Sequence, residues 1–252
     1  MRIVILFAFL FSALHVWGQE NLTPVSDDVN ILFRNEAAGG IKIHSNGFGI
    51  SFKRGWHKTG YKKRTLDMDF VSLRHPKQYK QPNPNYPDSR PFFFGKLNFA
   101  YMLRGGYGMQ NVIFSKAERS GVEVRFNYYG GVNLGLTKPV YLEVLVDSRF
   151  DSLLKVIDTR RYDPEDPVQQ SVENIFGPGP YFRGFDQMKI YPGAYAKVAL
   201  SFEYSGWQQK VTAIETGVTL DYFPTAIPIM ANVNNSNLHL NFYISLLWGG
   251  KW

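Results

Sequence analysis

Twelve ionisable residues of both signs stand on one side of a set of alternating segments: Lys42, Lys53, Asp67, Asp69, Lys96, Arg104, Glu123, Arg125, Lys197, Glu203, Glu215 and Asp221. Groups of opposite charge facing one another in a closed interior pair, because an unpaired buried charge is costly. The same groups around open water would line a selective pore. Asp67 and Asp69, two apart on one face, have the spacing of an acid/base or metal pair, but the density of basic neighbours favours salt bridges. The expected network comprises Lys96, Asp67, Asp69, Arg104, Glu123, Arg125, Lys197, Glu203, Glu215 and Asp221.

Other chemistry finds little support. The five histidines show neither HExxH nor paired-His spacing, and neither a GxSxG nor a phosphate-binding glycine loop occurs. Asp163, Glu165 and Asp166 lack the register of a calcium loop and are expected to be solvated acids. The chain has no cysteine, hence no thiol nucleophile, thiolate metal site or disulfide framework. Catalytic, cofactor and metal residues are therefore expected to be none. Lys53 to Arg64 is a basic cluster around a turn; its Lys58, Lys62, Lys63 and Arg64 suit a solvated barrel end or a docking surface for an acidic partner.

The elements that position these residues are strands. From Gly121 to Leu136, Val122, Val124, Phe126, Tyr128, Val132, Leu134 and Leu136 fall on one side, and Glu123, Arg125, Asn127, Tyr129 and Asn133 on the other. Such a run is about three times the usual strand length. An apolar outer face with a charged inner one is the pattern of a transmembrane β-barrel strand. The same alternation recurs in Thr65 to Leu73, Phe94 to Arg104, Ala194 to Tyr204, Lys210 to Tyr222 and Leu238 to Trp248, and more weakly around Ile41 to Lys53. Gly105-Gly106 reads as a turn into a further strand, Gly108 to Ser115, and Val140 to Val146 as one more. The count is ten antiparallel strands, or eight without the first hairpin. Either way the long connections 75–91, 147–189 and 223–237 fall at one end and short turns at the other, as in outer-membrane barrels. A short helix is expected within Ser152 to Ile157. Trp56, Tyr101, Tyr128, Tyr204, Trp207, Tyr222 and Trp248 suit interfacial girdles. A soluble, exported, lipocalin-like barrel shares the periodicity, but strand length, charged inner faces and loop asymmetry favour the membrane.

Arg2 followed by the apolar run Ile3 to Leu14, with Gly18 before Gln19, reads as a cleaved signal peptide over 1–18, followed by a periplasmic lead-in over 19–36 and a barrel over 37–252. The net charge of +7, from 28 Lys and Arg against 21 Asp and Glu, points in an exported chain to anionic lipid headgroups rather than nucleic acid.

With the Gly18-Gln19 junction and the aromatic-rich last strand Leu238 to Trp248, the chain resembles small outer-membrane β-barrels of the Bacteroidota type. The last strand is the segment that the barrel-assembly machinery reads in such proteins; here GGKW follows it, so the chain ends on Trp252 beyond the strand. The resemblance implies an outer-membrane location in a Gram-negative cell, with lipid and lipopolysaccharide as surroundings. It extends to accessory subunits of secretion and gliding machinery. The expected function is a non-enzymatic scaffold or accessory subunit of a cell-envelope complex with an envelope protein partner, ahead of a small diffusion channel and, third, an outer-membrane enzyme.

Overall fold

The computed structural model describes residues 34–59, 61–86, 88–115, 121–147, 155–204 and 209–252. The expected signal peptide, most of the lead-in and Trp207 lie outside them. In chain order the strands are β1 Asn35–His44, β2 Gly47–Thr59, β3 Lys62–Leu73, β4 Lys80–Gln81, β5 Phe92–Phe93, β6 Asn98–Phe114, β7 Val122–Pro139, β8 Tyr141–Asp147, β9 Lys155–Arg161, β10 Ile175–Pro178, β11 Lys189–Tyr204, β12 Lys210–Tyr222 and β13 Leu238–Lys251. Eight of them close an antiparallel barrel in the order β1-β13-β12-β11-β7-β6-β3-β2. The first hairpin is part of it, and the closure joins β1 to β13 over nine residue pairs, Glu36↔Lys251 to His44↔Tyr243.

Two expected strand boundaries are corrected. Gly105-Gly106 is no turn: β6 runs straight through it, with Gly105 opposite Val132 and Gly106 opposite Gly131 on β7. Gly106 faces inward, where a Cβ would strike the Tyr195 phenol and the Gly130 carbonyl. The glycine makes room for a tyrosine crossing the interior, not for a bend. Val140 to Val146 is no wall strand either. Within it, β8 pairs with β9 and β10 in a separate three-stranded sheet. Merging the first pair and removing the second strand takes ten to eight and leaves up-and-down parity unchanged. The connections 74–97, 140–188 and 223–237 therefore share one end with the tight Ser45-Asn46 turn. At the other end Asn35 and Trp252 exchange backbone hydrogen bonds of 2.9 and 3.0 Å.

The wall alternates as the sequence requires. Val122, Phe126, Tyr128, Val132, Val198, Leu200, Ile214, Leu240, Phe242, Ile244 and Trp248 are exposed on the outside, while the charged partners between them are buried inside. Tyr101 and Tyr222 sit near the long-loop ends of their strands, Trp56, Tyr204 and Trp248 near the short-turn ends, and Tyr128 in mid-strand.

The 147–189 stretch, patternless in sequence, is structured through most of its length. It carries β9, β10 and two 3-10 turns, Val172–Asn174 and Phe185–Gln187. Of the expected helix, Lys155 to Ile157 is strand and the rest lies outside the described residues. The small sheet packs Val140, Leu142, Val144, Tyr162 and Ile175 with Phe92 and Ala231 into a core of its own. Asn83 ties the proline-rich connection to it, donating to the Glu173 and Ile175 carbonyls at 2.8 Å. Arg90 does the same through the Glu143 carboxylate at 3.1 Å and the Pro178 carbonyl at 3.0 Å.

Candidate functional site: a filled and corked barrel interior

Inward-facing charges from all eight wall strands meet in the barrel interior in layers. Nearest the long-loop end, Arg104 on β6 grips Asp221 on β12 with two bonds of 2.7 Å, and Asn133 and Asn241 donate to the same carboxylate. Asp69 accepts from Lys42 at 2.5 Å and Lys197 at 2.8 Å and lies 3.8 Å from Arg104. Lys197 also binds Asp67 at 2.5 Å, and the Tyr195 hydroxyl donates to Asp67 at 3.0 Å. One step further down, Lys53 donates to Glu215 at 2.6 Å and lies 3.4 Å from Asp67; Tyr243 and Asn127 complete the Glu215 carboxylate at 2.7 and 2.8 Å. At the short-turn end Arg125 joins Glu36, Glu123 and Glu203, while Lys63 holds Glu36 at 2.5 Å and Lys251 reaches Glu203.

Among the described residues these pairs join seven cations to seven carboxylates. Burying charges costs several kcal/mol per ion, about 20 kcal/mol in the idealised low-dielectric limit, so such an interior is tolerable only where the charges are closely paired. Three tyrosines help. Tyr129 accepts from Lys53 and Gln110 at 3.2 and 2.8 Å, and the Lys42 and Lys53 ammonium groups each lie 4.4 Å from a tyrosine ring centre.

Nine of the ten residues expected to form the network are in this lattice: Asp67, Asp69, Arg104, Glu123, Arg125, Lys197, Glu203, Glu215 and Asp221. Lys96 is not. It precedes β6, only 3% exposed, where its ammonium donates to Gln78 at 2.9 Å and lies over Phe93 and Phe99; among the described residues it has no ion pair. Sequence parity placed it inward because the alternation continues past the strand end. Glu36, Lys63 and Lys251 were missed, each lying next to a strand terminus where alternation is short. Of the basic turn, Lys63 belongs to the lattice, while Lys58, Lys62 and Arg64 are exposed on the outside.

Above the charges the interior turns apolar. The 223–237 connection, expected as a long loop at this end, folds into the mouth and packs Phe223, Ile227, Ile229 and Met230 against Val71, Leu73, Ala100 and Met102 of the wall. Gly135 permits this, since a Cβ there would come within 2.6 Å of the Ile227 Cδ1. Backbone bonds from Leu97 to Ile229 at 2.9 Å and from Ala231 to Gly95 at 2.7 Å pin the cork to the segment before β6. Among the described residues no group of three or more His, Asp or Glu side chains forms a metal-ligating cluster.

No family model and no curated protein matches the chain. Among solved structures it is similar to Ail, the attachment invasion locus protein of Yersinia pestis, at 8% identity over 86% of this chain and 97% of that one, with a TM-score of 0.41. Neisserial surface protein A gives 10% identity, 86% and 95% coverage and 0.40, and the outer membrane protein OprG from Pseudomonas aeruginosa 9%, 86% and 95% and 0.35. The likeness is one of barrel form.

Proposed function

We propose that this chain is a non-enzymatic outer-membrane β-barrel that serves as a scaffold or accessory subunit of a cell-envelope complex, engaging its partner through the folded cap over the long-loop end. The observation that carries this reading is the interior: a charge-balanced lattice under an apolar cork leaves the lumen occupied by the protein's own side chains. A channel would require that lattice to part. What the barrel offers to other molecules is then its two ends and its wall. The cap is the larger end, with its own core and with Asn83 and Arg90 fixing its parts. Transmembrane placement is supported by the exposed apolar wall. At the short-turn end Arg54, Lys62 and Arg64 lie outside beside Trp56, with the Arg54 guanidinium 5.4 Å from the indole centre, an arrangement suited to anionic phospholipid headgroups. Protein secretion is the kind of assembly that the sequence resemblance points to.

Replacing residues 140–188 with a short turn from β7 to β11 tests the reading. The variant should still fold, as seen in heat-modifiable gel migration, and should lose the envelope protein that copurifies with the full chain. Undiminished copurification of every partner would remove the cap from the account.

A further inference from the structure

The segment Pro180 to Gln187 folds over the outside of the barrel wall. The Tyr181 hydroxyl lies 2.9 Å from that of Tyr101, an outward residue of β6, and Tyr101 stacks on outward Phe70 of β3 at 5.9 Å. Tyr181 also meets Phe99, Phe182 and Phe185 with ring centres 6.3, 5.6 and 6.1 Å apart. Beneath these rings is Lys138, an outward cation paired in register with Phe99 at the long-loop end of β7. Its ammonium lies 4.2 Å from the Tyr181 ring centre, 4.9 Å from that of Phe185 and 5.1 Å from that of Phe99, and it donates to the Tyr181 carbonyl. A cation at the rim of an apolar wall thus draws the aromatic segment down onto that wall. The segment in turn presents apolar surface outward: Phe182 is 82% exposed, Tyr181 53% and Phe185 45%.

We infer that this aromatic patch is a membrane anchor, seated at the headgroup–acyl boundary of the leaflet around the long-loop end, which ties the cap to the membrane surface. Continuity decides the occupant. Phe182, Phe185 and Tyr181 pack onto outward Phe99 of β6, and the Tyr181 hydroxyl bonds that of Tyr101, whose ring stacks on Phe70, so the patch extends the lipid-facing wall. Arg183, its guanidinium 5.1 Å from the Tyr141 ring centre, adds the cation that accompanies aromatic side chains at such boundaries. The inference rests on the transmembrane reading of the wall, and its test separates the two.

The chain has no cysteine, so single labels need no background substitutions. Phe182→Cys, Val198→Cys on the wall and Asp158→Cys on exposed β9 would each carry a nitroxide in protein refolded into phospholipid vesicles, with heat-modifiable migration as the folding check. Collision with oxygen, which concentrates in lipid, is compared with collision with a water-soluble nickel chelate. The expected result is an oxygen-to-nickel ratio at 182 shifted towards that at 198 and clearly above that at 158. A ratio at 182 equal to that at 158 overturns the anchor while leaving the wall in the membrane. Shielding of 182 from both reagents also overturns it, since protein then covers the patch. A water-like ratio at 198 would overturn the transmembrane reading and the anchor with it.

Discussion

Arg104 and Asp221 are a fork and a carboxylate matched by two 2.7 Å bonds from opposite sides of the lumen. Removing one partner strands the other in the interior, so Asp221→Asn should cost about 3–5 kcal/mol in denaturant unfolding from vesicles. Arg104→Met with Asp221→Leu should recover most of that loss, and a double variant as unstable as the single one would contradict the pairing. Lys96 makes a separate prediction because it stands outside the lattice. Burial first, then Arg74 and Lys80, hold its ammonium down to about 8 from the ordinary 10.5. The folded protein therefore binds this proton more weakly than the unfolded chain does. The resulting penalty is complete below pH 8 and is relieved as pH rises towards 10.5. Relative to Lys96→Met, the wild-type denaturation midpoint should climb across that window; a flat or falling difference would contradict the burial. Most lattice residues are legible from two-residue periodicity, since parity alone assigns Asp67, Asp69, Glu215 and Asp221 to the inside. Partner choice is not, because it depends on the register of strands distant in sequence, as with Lys53 and Glu215.

At the scale of elements, the sequence misleads where local signals have two physical causes. A Gly-Gly pair suits a turn, and it equally suits a strand that must leave space for Tyr195. Val140, Leu142 and Val144 alternate with Tyr141 and Glu143 as a wall strand would, yet their apolar side covers the core of the cap. The cork has no periodic signature: Phe223, Ile227 and Ile229 lie among Pro224, Pro228 and polar residues. Its seat is testable through Gly135→Val, which places branched carbons where Ile227 and Phe223 pack. The variant should fold as a barrel, become cleavable by protease within 223–237, and stay electrically silent because the charges beneath are intact. Protease resistance equal to wild type would show that the cork does not depend on this contact.

For the whole molecule, the alternation of apolar and charged residues determines a barrel, and its up-and-down order gathers the long connections at one end. That asymmetry was legible even with the strand count at ten, because the two misplaced boundaries cancel in parity. The cooperation of the three connections in one cap was not, since bonds such as Asn83 to Ile175 join segments far apart in the chain. Whether the lumen is filled is read out by single-channel recording of the refolded protein in a planar bilayer, with heat-modifiable migration proving a folded barrel. The lattice and cork predict a folded, silent protein. Steady conductance from a folded sample would contradict the account and make the same charges the lining of a pore.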